Sequence, residues 1–150
     1  MSSGTAVAVV LCAIGGLAGA IQAAVMGELG ERVGVAPALT FAVAVSLVCA
    51  LGVLLVWERS FEGVRTAAGQ PWWLWMGGVM SVFIVLGITV ATPRIGVAST
   101  IGIIIAGNLV MAAMIDQYGL LGQERVPITA VRLIGLALLA AGAALTLART

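Results

Sequence analysis

Apolar residues along this chain gather into five runs nearly free of charge, residues 5–27, 38–57, 72–92, 96–115 and 130–148, separated by polar stretches. Every charged residue lies between or beyond these runs except Arg132. A helix crosses a hydrocarbon core of roughly 30 Å with about 20 residues, so each run has the length of one membrane span. Apolarity is continuous within each run and does not alternate, which predicts helices and excludes a transmembrane barrel. The pattern predicts an all-α integral membrane protein of five transmembrane helices, a single domain over residues 1–150.

The punctuation between the runs agrees. Pro37, Pro71, Pro93 and Pro127 each stand just ahead of the next run. Proline suits the first turn of a helix, where its missing N–H has no partner to lose, so these residues predict helix starts. The shortest connection, Thr92 to Gly96, makes the third and fourth spans antiparallel neighbours and offers Thr92 as an N-cap ahead of Pro93. Trp57, Trp72, Trp73 and Trp75 flank the 58–71 connection as interfacial anchors do, marking one membrane surface. An aromatic cage for a cation is the sharper alternative for that cluster.

Composition removes most other classes. Hydrophobic residues make up 62% of the chain and charged residues 9%, with a mean hydropathy of +1.21. Soluble domains carry about a quarter charged residues, so no separate soluble domain fits beside the spans. Lys and His are absent, and a net charge of +1 leaves no basic surface for nucleic acid. The first run lacks the cationic start of a signal peptide and outlasts its apolar core, so it reads as the first span even though Ala18-Gly19-Ala20 resembles a cleavage site. Cys12 and Cys49 lie inside apolar runs without metal-ligand spacing; they are expected to be small core residues, with no disulfide.

An odd number of spans sorts the arginines by side. Arg59, Arg65, Arg125 and Arg132 share the N-terminal side, and Arg32, Arg94 and Arg149 the other. The positive-inside rule orients a chain by a clear excess of cations in cytoplasmic loops, and here the excess is a single Arg. The chain is expected to insert both ways round, and two copies of opposite orientation then pair about an axis in the membrane plane, the geometry of inverted-repeat transporters. The competing reading is one dominant topology with a cytoplasmic N-terminus. Close helix packing is expected at Gly15 and Gly19, at Gly102 and Ala106, and along Gly135, Ala137, Ala141 and Gly142.

Polar groups inside the hydrocarbon must be paired or face an aqueous cavity, so they supply the candidate site residues. Gln22 and Asn108 lead, because an amide has two donors and two acceptor lone pairs that its own helix cannot satisfy. Ser81, Ser99 and Thr100 are candidates for substrate contact, with bonding to a carbonyl one turn back as their alternative. Glu28 after the first span and Asp116 at the end of the fourth are possible coupling or pairing acids, Asp116 with Arg125 or Arg132. Glu58, Glu62 and Glu124 belong to solvated connections. With no His, no acid pair on one helix face and no phosphate-binding glycine loop, no enzyme, metal or cofactor chemistry is expected.

Gly16 to Val25 at the end of the first span, Pro71-Trp72-Trp73-Leu74-Trp75 with Gly77-Gly78, Pro93-Arg94-Ile95-Gly96, and Ala106-Gly107-Asn108-Leu109 leading to Ile115-Asp116-Gln117-Tyr118 together carry a family likeness. In these segments the chain resembles the small YdcZ-like inner-membrane branch of the drug/metabolite transporter superfamily. That resemblance implies half of an inverted-repeat 5+5 transporter in the bacterial inner membrane. It would act as an antiparallel homodimer or beside an oppositely oriented sister chain, and move a small polar or amphipathic molecule. Met26, Asn108 and Gln117 stand where the family commonly has Asn, Gln and His, a departure that fits one member of a specialised pair. A passive pore and a non-transporting accessory subunit are the alternative functions.

Overall fold

The computed structural model describes residues 3–147, and among them all regular structure is helical. Helices α1 (Ser3–Val33) and α2 (Val35–Trp57) are followed by a short α3 (Glu62–Ala68). A 3₁₀ turn at Trp72–Trp75 then runs straight into α4 (Met76–Ile95). Next come α5 (Val97–Tyr118), a 3₁₀ turn at Leu120–Gly122, and α6 (Ala130–Leu147). Four stretches are long and apolar enough to cross a membrane: Gly4–Val33, Val35–Trp57, Trp72–Ile95 and Val97–Tyr118. The helix of the fifth predicted run is apolar over Ala130–Thr146 but shorter than these four. Its last predicted residue, Ala148, and the neighbouring Arg149 lie outside the described residues.

Two connections predicted as loops are helical to within one residue. α1 continues to Val33, so Glu28 and Glu31 lie on the helix and not after it. Glu, Leu and Arg are good helix formers, and Glu28 bonds Arg32 one turn on, with Nε–Oε1 at 2.7 Å. Pro93 falls inside the last turn of α4 and does not open α5. Thr92 is accordingly a helical residue and not an N-cap; Gly96 takes that place. Pro93 gives up the N–H that would bond one turn back, and Gly96 N–H closes the last turn on the Thr92 carbonyl at 3.0 Å.

The two breaks are copies of one device. Arg32-Val33-Gly34-Val35-Ala36 and Arg94-Ile95-Gly96-Val97-Ala98 have nearly the same sequence. Gly34 has φ 90° and ψ 157°, and Gly96 has φ 78° and ψ 162°, a region that only glycine enters without strain. Gly34 N–H bonds Gly30 O at 3.0 Å, and Ala38 N–H bonds Gly34 O at 3.1 Å. Thr100 N–H completes the second copy on Gly96 O at 3.1 Å. Burial repeats as well: Met26, Gly27, Gly30 and Ala38 are buried around the first break, and Ile88, Thr89, Thr92 and Thr100 hold the equivalent positions around the second.

The chain divides into two compact units, one running from Val25 to Val90, the other gathering residues up to Ala24 and from Ala91 onward. In the first unit α1 meets α4 at Gly30, where a Cβ would stand 2.6 Å from Thr89 Cγ2. Thr89 turns its hydroxyl back to the Val85 carbonyl at 2.7 Å, which leaves the methyl to face Gly30. The same unit holds Trp57, Trp72, Trp73 and Trp75, all exposed and flanking α3 in the chain.

In the second unit α5 and α6 pack as an antiparallel pair. Ser99 Oγ donates to the Thr146 carbonyl at 3.2 Å near one end, and Asp116 meets Arg132 at the other. Between them a Cβ on Gly102 would lie 3.5 Å from Ala143, so small residues set the spacing there. Gly15, Gly19 and Gly142 have nothing within that reach. Cys12 and Cys49, expected in the core, are exposed and free. The helices turn most apolar side chains outward, and the buried apolar side chains are Ala23, Met26, Ala38 and Ile88 among the described residues. In a bilayer, lipid solvates such outward faces, so close contacts and hydrogen bonds hold the helices in place of a hydrophobic core.

Candidate functional site

Asn108 sits halfway along α5 and Gln22 well inside α1, and both belong to the unit that contains α5 and α6. Both side chains are exposed on the protomer, and neither amide makes a hydrogen bond among the described residues. The hydrocarbon core offers an amide no substitute for water, and each unsatisfied polar group there costs several kcal/mol. These two side chains are therefore incomplete in the isolated chain.

The hydroxyls behave differently. Ser81 Oγ donates to the Gly78 carbonyl at 2.7 Å and Thr100 Oγ1 to the Gly96 carbonyl at 2.8 Å, both within a turn. Ser99 reaches across to α6. Ser99 and Thr100 are buried, whereas Ser81 is exposed. Each hydroxyl spends its one proton on backbone, so it can offer a substrate only acceptor lone pairs. Thr92 is the polar group that sequence reasoning missed: its Oγ1 is buried with no hydrogen-bond partner among the described residues. The signal was a hydroxyl residue ahead of proline at the end of an apolar run, which the N-cap reading absorbed.

Both candidate acids are ion-paired. Glu28 meets Arg32 at 2.6 Å on the exposed end of α1, the favourable order for an i,i+4 pair, with the cation nearer the helix C-terminus. Asp116 pairs with Arg132 at 3.0 Å; of the two arginines the sequence offered, this is the one it meets. Arg125 instead donates its Nε to the Gln117 carbonyl at 2.9 Å. Gln117 Oε1 accepts Ile128 N–H at 2.7 Å, and Val126 N–H bonds Asp116 O at 2.8 Å. The connection after α5 is thus folded back onto the helix end and directs the chain into α6. Thr129 opens that helix as its N-cap, its hydroxyl accepting from Arg132 N–H at 3.4 Å.

No group of His, Cys, Asp or Glu among the described residues is placed to hold a metal ion. One unit thus holds two amides, Gln22 and Asn108, without hydrogen-bond partners among the described residues, and the Asp116–Arg132 pair; the Glu28–Arg32 pair belongs to the other unit. Compared with known proteins, residues 7–145 match the family model described as "Putative inner membrane exporter, YdcZ". No curated protein and no solved structure matches the chain.

Proposed function

The chain belongs to the YdcZ inner membrane exporter family, and from that premise we propose that it is a half-size secondary transporter working by alternating access as an antiparallel pair. The pair is two copies of this chain, or this chain with an oppositely oriented sister, each contributing five spans with α6 as the fifth. Its cargo is a small polar or amphipathic metabolite or drug crossing the bacterial inner membrane.

The observation that carries this reading is the pair of amides, Gln22 and Asn108, left without hydrogen-bond partners among the described residues and inside helices of membrane-spanning length. A polar substrate in a cavity near the midplane supplies what these amides lack, and an opposed copy supplies the remaining wall. Ser99 and Thr100 are buried with their protons spent on backbone, so the amides carry the contact; the Thr92 hydroxyl, buried without a partner among the described residues, is a further polar group of the same unit. Weak arginine asymmetry supports insertion in both orientations. Glu28 and Asp116 act here as paired helix-end charges.

The test is efflux by cells expressing the chain, using whichever fluorescent amphiphile the wild-type protein expels. Gln22→Ala and Asn108→Ala each abolish efflux while the amount of inserted protein is unchanged. Wild-type efflux in both variants would contradict the assignment of these amides to the substrate path.

A further inference from the structure

Between α5 and α6, on the side where Asp116 meets Arg132, lies a groove of about 260 Å³. Its walls are apolar: Leu109, Ala112 and Ala113 from α5, and Gly135, Leu136 and Leu139 from α6. The ion pair is its polar end. Asp116 lies two residues before the end of α5 and Arg132 two residues after the start of α6, so both charges sit at the depth where spans meet the headgroup layer. The groove then runs from that layer into the hydrocarbon.

We propose that this groove holds one phospholipid of the bilayer whose head carries a phosphate and a primary ammonium, as in phosphatidylethanolamine. Arg132 receives the phosphate, Asp116 receives the ammonium, and part of one acyl chain lies between α5 and α6.

Three observations select this occupant. The walls offer hydrocarbon contact and the polar end offers one charge of each sign, so a molecule with an apolar body and a zwitterionic head matches both. The pair is incompletely buried, with side-chain exposure of 33% for Asp116 and 48% for Arg132, so each keeps a side open to a second partner. Capacity remains as well: the contact engages one nitrogen, Nη1, of a guanidinium with five N–H donors and one oxygen, Oδ2, of a carboxylate that accepts about four hydrogen bonds. An anionic head without the ammonium would bring its phosphate to Arg132 but leave a like charge beside Asp116. A second copy of this chain would have to present both charges at the rim of the groove to compete.

Native mass spectrometry of the full-length chain in mild detergent tests this, with phosphatidylethanolamine, phosphatidylglycerol and phosphatidylcholine added separately and in competition. Phosphatidylethanolamine is retained over phosphatidylglycerol by about fivefold, the factor for the ~1 kcal/mol that one charge contributes near a membrane surface. Phosphatidylcholine falls between them, since its ammonium keeps the charge but has no N–H to donate. Asp116→Asn removes the preference over phosphatidylglycerol, and Ala112→Leu, which fills the groove, lowers retention of all three lipids. Equal retention of the lipids by the wild-type chain, or preference for phosphatidylglycerol, would overturn the proposal without reference to any variant. Unchanged retention in both variants would place any bound lipid elsewhere.

Discussion

At Gly34 and at Gly96 the backbone makes the same break, one glycine at positive φ between two helices, closed by equivalent hydrogen bonds on either side. The side chains around the two breaks have diverged. Near the first, Gly30 and Ala38 are buried, and the bare Gly30 lets α1 approach the Thr89 methyl. Near the second, the equivalent buried positions are Thr92 and Thr100, joined by buried Ser99 where the first break has an exposed proline, Pro37. One break is a close-packed joint and the other a hydroxyl-lined one. A repeated backbone fixes where helices begin and end, while the residues placed on it decide whether the joint packs against a helix or presents polar groups.

The equivalence of the backbones is tested first by Gly34→Ala and Gly96→Ala. Each forces an L residue to positive φ and costs about 1–3 kcal/mol, read as lower resistance to unfolding in a denaturing-detergent titration. Loss at only one site would break the comparison. Gly30→Ala probes the packed joint, because its Cβ would come within 2.6 Å of Thr89 Cγ2. It should cost about 1–2 kcal/mol, and Thr89→Ser, which removes that methyl, should recover much of the loss in a double-mutant cycle. At the hydroxyl-lined joint the effects are smaller. Ser99→Ala gives up the bond to the Thr146 carbonyl and costs about 0.6 kcal/mol, the usual worth of such a bond between membrane helices. Thr92→Val removes a buried hydroxyl without a partner and leaves stability unchanged or raised in the same titration.

Four of the five predicted spans were legible because a run of about 20 apolar residues folds as a helix in lipid, while the fifth run forms a shorter apolar helix. Helix ends were less so. Proline marked a boundary each time but not which side of it the helix ended on, and Pro93 closes α4 where it was expected to open α5. The glycines that make the breaks, Gly34 and Gly96, look like any others in a chain with twenty. Only their shared surroundings, Arg-Val-Gly-Val-Ala and Arg-Ile-Gly-Val-Ala, distinguish them.

Gln22 and Asn108 stood out in the sequence because amides are costly in hydrocarbon wherever the helices lie. The roles of hydroxyls were not legible in the same way, since a serine can bond its own helix, as Ser81 does, or a neighbour, as Ser99 does. Exposure was the least legible property. Cys12 and Cys49 sit in runs as apolar as any core, and in lipid an apolar side chain has no reason to turn inward.

The proposed transporter rests on two opposed chains, and orientation tests most directly whether this chain supplies both. A single cysteine placed at Thr150, in a Cys12→Ala, Cys49→Ala background, is labelled in intact cells with a membrane-impermeant thiol reagent. The near balance of arginines predicts that roughly half of the molecules react. Labelling of nearly all or nearly none would fix one orientation and contradict a transporter assembled from this chain alone.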